Sequence, residues 1–210
     1  AIKQAVNIPV IAVGRLDEAK AEKILEEGKA DLVAFGRVLW ADPEFPRKVA
    51  EGRIEDIVRC TRCGTCEDPP VGRPRRCRVN PAMGRESLFA IRPAEKKKKV
   101  VVIGGGPAGM QAALAARFRG HTVDLYEKSD RLGGLLNVAC MPPHKEDLGH
   151  VTGWFERQLK RAGVGLHLGA ALTPEAVRDL GADAVIAATG SSPVFPGFCR
   201  KARNAVVAQS

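Results

Sequence analysis

Apolar residues run without interruption through Ile8-Pro9-Val10-Ile11-Ala12-Val13. A run of this length predicts a strand buried on both faces. Gly14-Arg15-Leu16 then turns the chain, and Asp17 is placed to cap a helix carrying Ala21, Ile24 and Leu25 that stops at Gly28. A second strand is predicted over Ala30–Phe35, followed by Gly36-Arg37. Asp42-Pro43 opens a shorter helix containing Phe45, Val49 and Ala50, with Gly52 beyond its end. Two parallel strands joined by a helix form a unit whose sheet edges need further strands. The pattern fits the last two repeats of an eight-stranded β/α barrel. The opening Ala1-Ile2-Lys3-Gln4-Ala5 reads as the end of a helix, so the chain is expected to be a fragment that begins inside a fold.

Periodicity fades over residues 59–95, which hold several prolines, basic residues and four cysteines. Such a segment needs an internal staple, and a metal centre would supply one. The α/β pattern resumes at Lys99. Val100–Ile103 reads as a strand, Pro107–Arg119 as a helix, and Thr122–Tyr126 as a strand ending at Glu127. Leu148, Val151, Phe155 and Leu159 share one helical face. Val164–Leu168 is a further strand, Thr173-Pro174-Glu175 starts a helix, and Asp183–Ala187 is the last strand, leading into Ala188-Thr189-Gly190. The expected organisation is a barrel-type piece over 1–58, a cysteine segment over 59–95, a nucleotide domain over 96–198 and a tail over 199–210.

Composition narrows the class. The 210 residues are 45% hydrophobic and 27% charged, enough to bury a core. No apolar run approaches the roughly 20 residues of a membrane span, and no secretory signal opens the chain, which makes the cytoplasm the expected compartment. Lysine and arginine total 33 against 24 acidic residues, a net charge of +9. The few aromatics do not interleave with the basic clusters, so a nucleic-acid partner is not expected. Lys96-Lys97-Lys98-Lys99 reads as a solvated linker. Cys140 and Cys199 stand apart from the other four and are expected to be passive.

Those four stand at Cys60, Cys63, Cys66 and Cys77. Three thiols at steps of three can wrap one compact inorganic cluster from a single loop, and the fourth closes the cage. Zinc is the competing ligand, although its structural sites usually take two separated pairs. Arg59, Arg62, Arg75, Arg76 and Arg78 would offset the thiolate charge.

Gly104, Gly106 and Gly109 make the dinucleotide fingerprint, with a strand before it and a helix after it. The first glycine permits a tight turn, the second lets the backbone approach a pyrophosphate, and the third brings helix against sheet. Glu127 ends the next strand, where a carboxylate would accept from ribose hydroxyls and repel a 2′-phosphate; FAD or NAD(H) is therefore favoured over NADP(H). Gly14-Arg15 and Gly36-Arg37 follow the two barrel-type strands. In such barrels the last two loops commonly hold a phosphate, so these four residues are candidate phosphate ligands, with surface charge as the alternative.

Taken in order, Ile11-Ala12-Val13-Gly14-Arg15, Leu32-Val33-Ala34-Phe35-Gly36-Arg37 and Ala41-Asp42-Pro43 resemble the C-terminal end of the old yellow enzyme barrel. Cys60 to Cys77 with Val79-Asn80-Pro81, then the glycine fingerprint, resemble the larger members of that group, the 2,4-dienoyl-CoA reductase and trimethylamine dehydrogenase family. The resemblance spans about residues 5–197. It implies an α/β protein: the C-terminal part of a TIM barrel, an iron–sulfur segment and a partial doubly wound, Rossmann-like FAD-binding domain. It implies FMN phosphate near Gly14, Arg15, Gly36 and Arg37, and a [4Fe–4S] cluster on Cys60, Cys63, Cys66 and Cys77. FAD, or ADP in some members, is implied at Gly104, Gly106, Ala108, Gly109, Glu127, Gly134, Leu135 and Gly190.

The implied activity passes electrons from NAD(P)H through FAD and the cluster to FMN, for reduction of an enoyl-type C=C bond in a small-molecule substrate. The best-known members place three residues, not two, between the second and third cysteines. The family's proton donor lies in earlier barrel strands, so no catalytic residue is assigned here. Two other readings remain: an electron-delivering subunit resembling the glutamate synthase small subunit, and a non-enzymatic zinc or nucleic-acid-binding protein.

Overall fold

The structure is a computed structural model that describes residues 2–67, 69, 71–192 and 194. Cys199 and the expected tail over 199–210 lie outside the described residues. The chain divides into two compact units, one running to Ala90 and the other starting at Ile91. The cysteine segment belongs to the first unit, and residues 91–95 go with the second.

In the first unit, helix α1 (Ile2–Ala5) precedes strand β1 (Ile11–Val13), helix α2 (Glu18–Glu26) and strand β2 (Leu32–Ala34). β1 and β2 pair in parallel, Ile11 with Leu32 and Val13 with Ala34. The Asp17 carboxylate accepts from the Lys20 N–H at 2.9 Å, which caps α2 as its position predicts. Both strands are shorter than the apolar runs, and they are not buried on both faces: Val13 is 72% exposed and Ile11 57%. The reason is that a two-stranded sheet with helix cover from α2 shields little apolar surface. Beyond β2 the chain forms helix α3 (Arg37–Ala41), where the sequence reading had a loop, then α4 (Phe45–Ala50) and a 3₁₀ turn at Ile54–Asp56.

Asp42 does not sit at the first position of α4; it locks the connection between helices. Buried to 3% exposure, its carboxylate accepts from Glu44 N at 3.0 Å, Val58 N at 2.8 Å and Lys48 Nζ at 2.6 Å. Lys48 Nζ also donates to the Asp56 carbonyl at 3.0 Å. Replacing Asp42 by alanine takes the carboxylate from a part-buried ammonium and from the Glu44 and Val58 N–H groups together. The expected cost is about 2–3 kcal/mol. Urea unfolding of Asp42→Ala should show this loss, with residues leading into the cysteine segment exposed first.

The second unit is a four-stranded, all-parallel sheet. Its strands are β3 (Lys99–Ile103), β4 (Thr122–Glu127), β5 (Gly165–Leu168) and β6 (Ala184–Ala187), in the order β5-β4-β3-β6. Helices α5 (Pro107–Phe118), α6 (Leu136–Ala139), α7 (Gly149–Ala162) and α8 (Pro174–Asp179) complete it. Alternate strand residues Val100, Val102, Val123 and Leu125 meet Met110, Ala113 and Leu114 of α5 and Phe155 and Leu159 of α7 in one core. The period of 2 in the strands and of 3.6 in the helices converge on this face. The Thr173 hydroxyl accepts from Ala176 N and caps α8.

Lys99 is part of β3 and not of a linker. Its N–H donates to Asp183 Oδ2 at 2.7 Å and its Nζ to the Leu180 carbonyl at 2.6 Å. A strand begins where its ladder begins, and a lysine stem can run along an edge with its head in water. Among the described residues no helix is long and apolar enough to cross a membrane.

Candidate functional site

The strand register brings both Gly-Arg turns to one edge. Val13 pairs with Ala34, so Gly14-Arg15 and Gly36-Arg37 leave neighbouring strands at the same, carboxyl, end. A side chain added at Gly14 or Gly36 would meet nothing within 4 Å. The edge is therefore open to a ligand. Arg15 is held at φ 51°, a conformation that costs a non-glycine residue energy and that clusters at functional sites. Arg37 is engaged, with Nη1 2.6 Å from Glu67 Oε1.

That ion pair is one of several ties between the cysteine segment and the barrel-type strands. Arg59, just before Cys60, makes a two-pronged pair with Glu18 of α2, at 2.6 and 3.1 Å. Val58 N donates to Asp42, and Asn80 Nδ2 donates to the Trp40 carbonyl at 2.9 Å. The Arg75 guanidinium lies over the Trp40 ring at 6.0 Å. The cysteine loop is thus fastened to the elements that carry the Gly-Arg edge. Sequence reading missed Glu18, Asp42 and Glu67 as partners because each pairs with a residue far along the chain.

Within the loop, Cys66 is buried, Cys60 and Cys77 are half-buried and Cys63 is exposed. Burial pushes the Cys66 thiol up, and Cys77, Cys60 and Cys63 add to this as like charges. For Cys63, burial is outweighed by hydrogen bonding with the Thr65 hydroxyl and N–H, with Thr61, and by Arg78; its thiol sits below the usual range. Arg75 Nη1 donates to the carbonyls of Cys66 and Glu67, and Arg78 Nε to Thr65 Oγ1 at 2.7 Å. Among the described residues no three His, Cys, Asp or Glu side chains stand close enough to hold a single metal ion.

In the second unit, Gly104 adopts φ 109°, and a side chain there would lie 2.3 Å from the Ala188 carbonyl oxygen. A side chain at Gly109 would lie 1.9 Å from the Gly104 oxygen. Strand β3, helix α5 and the end of β6 meet at these two glycines. Gly106, the residue before α5, faces open space instead. Ala108 is exposed in the first turn of the same helix. The loop after β4 folds over this turn: Gly133 N donates to the Gly105 carbonyl at 2.9 Å, and Gly134 comes against Gly106. Leu135 is 45% exposed beside them. Ala188 N donates to the Ile103 carbonyl at 2.8 Å, which brings the start of Ala188-Thr189-Gly190 to the same end of the sheet.

Glu127 is buried, with Oε2 accepting from Gly105 N at 2.6 Å and Oε1 from Ser129 N at 2.9 Å and Ser129 Oγ at 2.6 Å. Burial opposes its ionisation, yet the Ser129 and Gly105 donors prevail and hold its carboxyl below the usual range. Ser129 and Gly105 were not singled out from the sequence; a serine two residues after a carboxylate is the only local sign of this lock. The only tyrosine, Tyr126, is stacked on His167 at 4.3 Å, and His167 Nε2 lies 3.1 Å from Asp124 Oδ1.

Because the Glu127 pKa is lowered on folding, its contribution is present above the unfolded value of about 4.3 and is lost as pH falls through the folded value. In Glu127→Gln the amide oxygen can serve only one of the two donor groups. The expected loss near neutral pH is about 2 kcal/mol. Urea midpoints of the variant, measured from pH 6 down to 3, should fall less steeply than those of the wild type.

Comparison with known proteins places these features. Residues 1–56 match the NADH:flavin oxidoreductase / NADH oxidase family, and residues 99–187 match the FAD dependent oxidoreductase family. An NADH oxidase of Thermoanaerobacter brockii is 50% identical over 200 residues, a match covering 93% of this chain and 31% of that protein. A cinnamate reductase of Clostridium sporogenes is 40% identical over 199 residues, covering 91% and 29%. The solved structure of 2-naphthoyl-CoA reductase with 2-naphthoyl-CoA superposes with a TM-score of 0.86 at 36% identity, covering 93% of this chain and 30% of that one. The chain therefore spans about 30% of the length of the relatives it matches. Its fold is the C-terminal part of a TIM barrel followed by a doubly wound FAD-binding domain. Two parallel pieces in this order, each matching a flavoenzyme domain, leave one assignment: the chain belongs to the NADH:flavin oxidoreductase / NADH oxidase family, in the form that carries an FAD-dependent oxidoreductase domain.

Proposed function

We propose that the protein carrying this chain is an NAD(P)H-dependent flavin oxidoreductase in which FAD and a [4Fe–4S] cluster deliver electrons to FMN for reduction of an enoyl-type C=C bond. The observation that carries the proposal is the fastening of the cysteine loop to the strand edge with the two Gly-Arg turns. A relay must stand beside the group it serves, and these ties fasten the cysteine segment to the elements that carry the two Gly-Arg turns. The reductases among the relatives support the same reading of the substrate as an unsaturated acyl compound.

Each residue set is assigned by the chemistry of its donors. Cys60, Cys63, Cys66 and Cys77 are free thiols in a segment rich in arginine, and thiolates are the ligands that hold such a cluster. Structural zinc usually takes two separated pairs of ligands; a tight triplet of cysteines followed by a single one suits a multi-iron cage better. Gly14, Arg15, Gly36 and Arg37 would take the FMN phosphate. Gly104 and Gly109 shape the turn, while Gly106, Ala108, Gly134, Leu135 and Gly190 would line the path of the FAD pyrophosphate. Glu127 holds the glycine turn and would present its remaining lone pairs to the ribose. These residues bind and orient; none is assigned proton transfer to substrate.

The subunit reading does not account for the barrel-type match over residues 1–56. The zinc or nucleic-acid reading does not account for either flavoenzyme match. We further place the protein in the cytoplasm, where thiols stay reduced, with a small-molecule substrate and neither nucleic acid nor membrane as partner. The full-length protein, purified without oxygen, should contain about four iron atoms per chain together with FMN and FAD, and NADH or NADPH should bleach its flavin absorbance. A colourless zinc protein would overturn the proposal.

A further inference from the structure

Glu67 joins the Gly-Arg edge to the cysteine loop. It follows Cys66 directly, and its Oε1 lies 2.6 Å from Arg37 Nη1. Carboxylate and phosphate oxygens offer a guanidinium the same fork of acceptors. Glu67 therefore occupies the donor that a phosphate at this edge would need. The pair is weakly held, with Glu67 56% and Arg37 31% exposed. Exposed pairs of this kind contribute little and can be displaced by a better anion. Arg15, at the neighbouring strand end, makes no ion pair among the described residues, so an arriving phosphate would gain one arginine freely and the second by exchange. The pair between Arg59 and Glu18 is a contrast. It is two-pronged, and its glutamate side chain is only 15% exposed, so it remains a fixed tie.

We propose that Glu67 is an internal stand-in for phosphate at Arg37, displaced when the flavin phosphate binds. Displacement frees the residue next to Cys66, so the loading of flavin loosens the turn at 64–67. The device rests on the reading of Gly14-Arg15 and Gly36-Arg37 as the flavin phosphate site.

The test uses the full-length protein stripped of flavin, titrated with FMN and followed by flavin fluorescence, with inorganic phosphate as competitor. Glu67→Gln removes the competing charge and should bind FMN two- to fivefold more tightly than wild type, a range set by the modest strength of exposed pairs. Glu67→Asp keeps the charge and should stay near wild type. As a readout independent of affinity, hydrogen exchange over residues 64–67 should rise on adding FMN or phosphate to wild type, and should start high and stay unchanged in Glu67→Gln. Unchanged or weaker FMN binding by Glu67→Gln, with wild type binding normally, overturns the stand-in and leaves the flavin site intact. Wild type that binds neither FMN nor phosphate overturns the phosphate site, and the stand-in with it.

Discussion

Replacing Gly109 by alanine should strongly destabilise the nucleotide unit and weaken its hold on FAD. The added methyl would lie 1.9 Å from the Gly104 carbonyl oxygen and 3.0 Å from its carbon. Both are backbone atoms, so no rotamer change relieves the contact. Gly104 cannot retreat, because its own neighbour is the Ala188 backbone, where a side chain would stand only 2.3 Å from the carbonyl oxygen. Strand β3, helix α5 and the end of β6 would have to move apart together. Overpacking of a well-filled core costs about 1–3 kcal/mol and more where only backbone can yield. A loss above about 3 kcal/mol is expected, enough to lower the melting temperature of a unit this size by more than about 10 °C.

Calorimetry of the full-length protein, with the ratio of FAD to protein, would measure both effects. Gly106→Ala separates folding from binding. Its methyl would point into open space within 4 Å, so the unit should keep its melting temperature. It should nevertheless lose about tenfold or more in FAD affinity, because the methyl stands where the pyrophosphate must approach. If Gly106→Ala binds FAD as wild type does, the assignment of this turn to the pyrophosphate is wrong.

On the proposed assignment of the four thiols to an iron–sulfur cluster, Cys66→Ser should remove the iron. Cys66 is the buried thiol of the four, and Cys77, Cys60 and Cys63 act on it as like charges. A hydroxyl in that position stays protonated at neutral pH and is a poor ligand for iron. The iron content, read chemically and by absorbance, should fall from about four per chain to below one. The cysteine segment has little regular structure between Asp56 and Lys99. Loss of its inorganic staple should therefore raise its proteolysis well before the nucleotide unit is affected. Cys140→Ser is the control. Cys140 lies in the other unit, where its Sγ donates to the Asn137 carbonyl at 3.4 Å, and iron content should not change.

The nucleotide unit was the more legible half of the chain. The strands read at Val100–Ile103 and Thr122–Tyr126, and the helical face shared by Phe155 and Leu159, reappear as one core. The periodicity there records burial against partners that the same unit supplies. The first unit reads differently. The apolar runs at Ile8–Val13 and Ala30–Phe35 became three-residue strands with exposed side chains, because a run of apolar residues reports what could be buried and not what covers it. Helix α3 escaped notice because five residues, Arg37-Val38-Leu39-Trp40-Ala41, are too few to show a helical period.

By itself the sequence determined the order of the parts, the four thiols, the glycine turn and the parallel α/β class. All of these depend on spacing within some 20 residues, where local geometry and burial periodicity dominate. Only the tertiary structure decided which charges meet: Arg37 with Glu67, Arg59 with Glu18, Asp42 with Lys48 and Val58, and Glu127 with Gly105 and Ser129. Most of these pairings join residues from separate turns of the chain. A charge at one position carries no local mark of its partner, because the energy of the pair exists only once folding has set the distance between them.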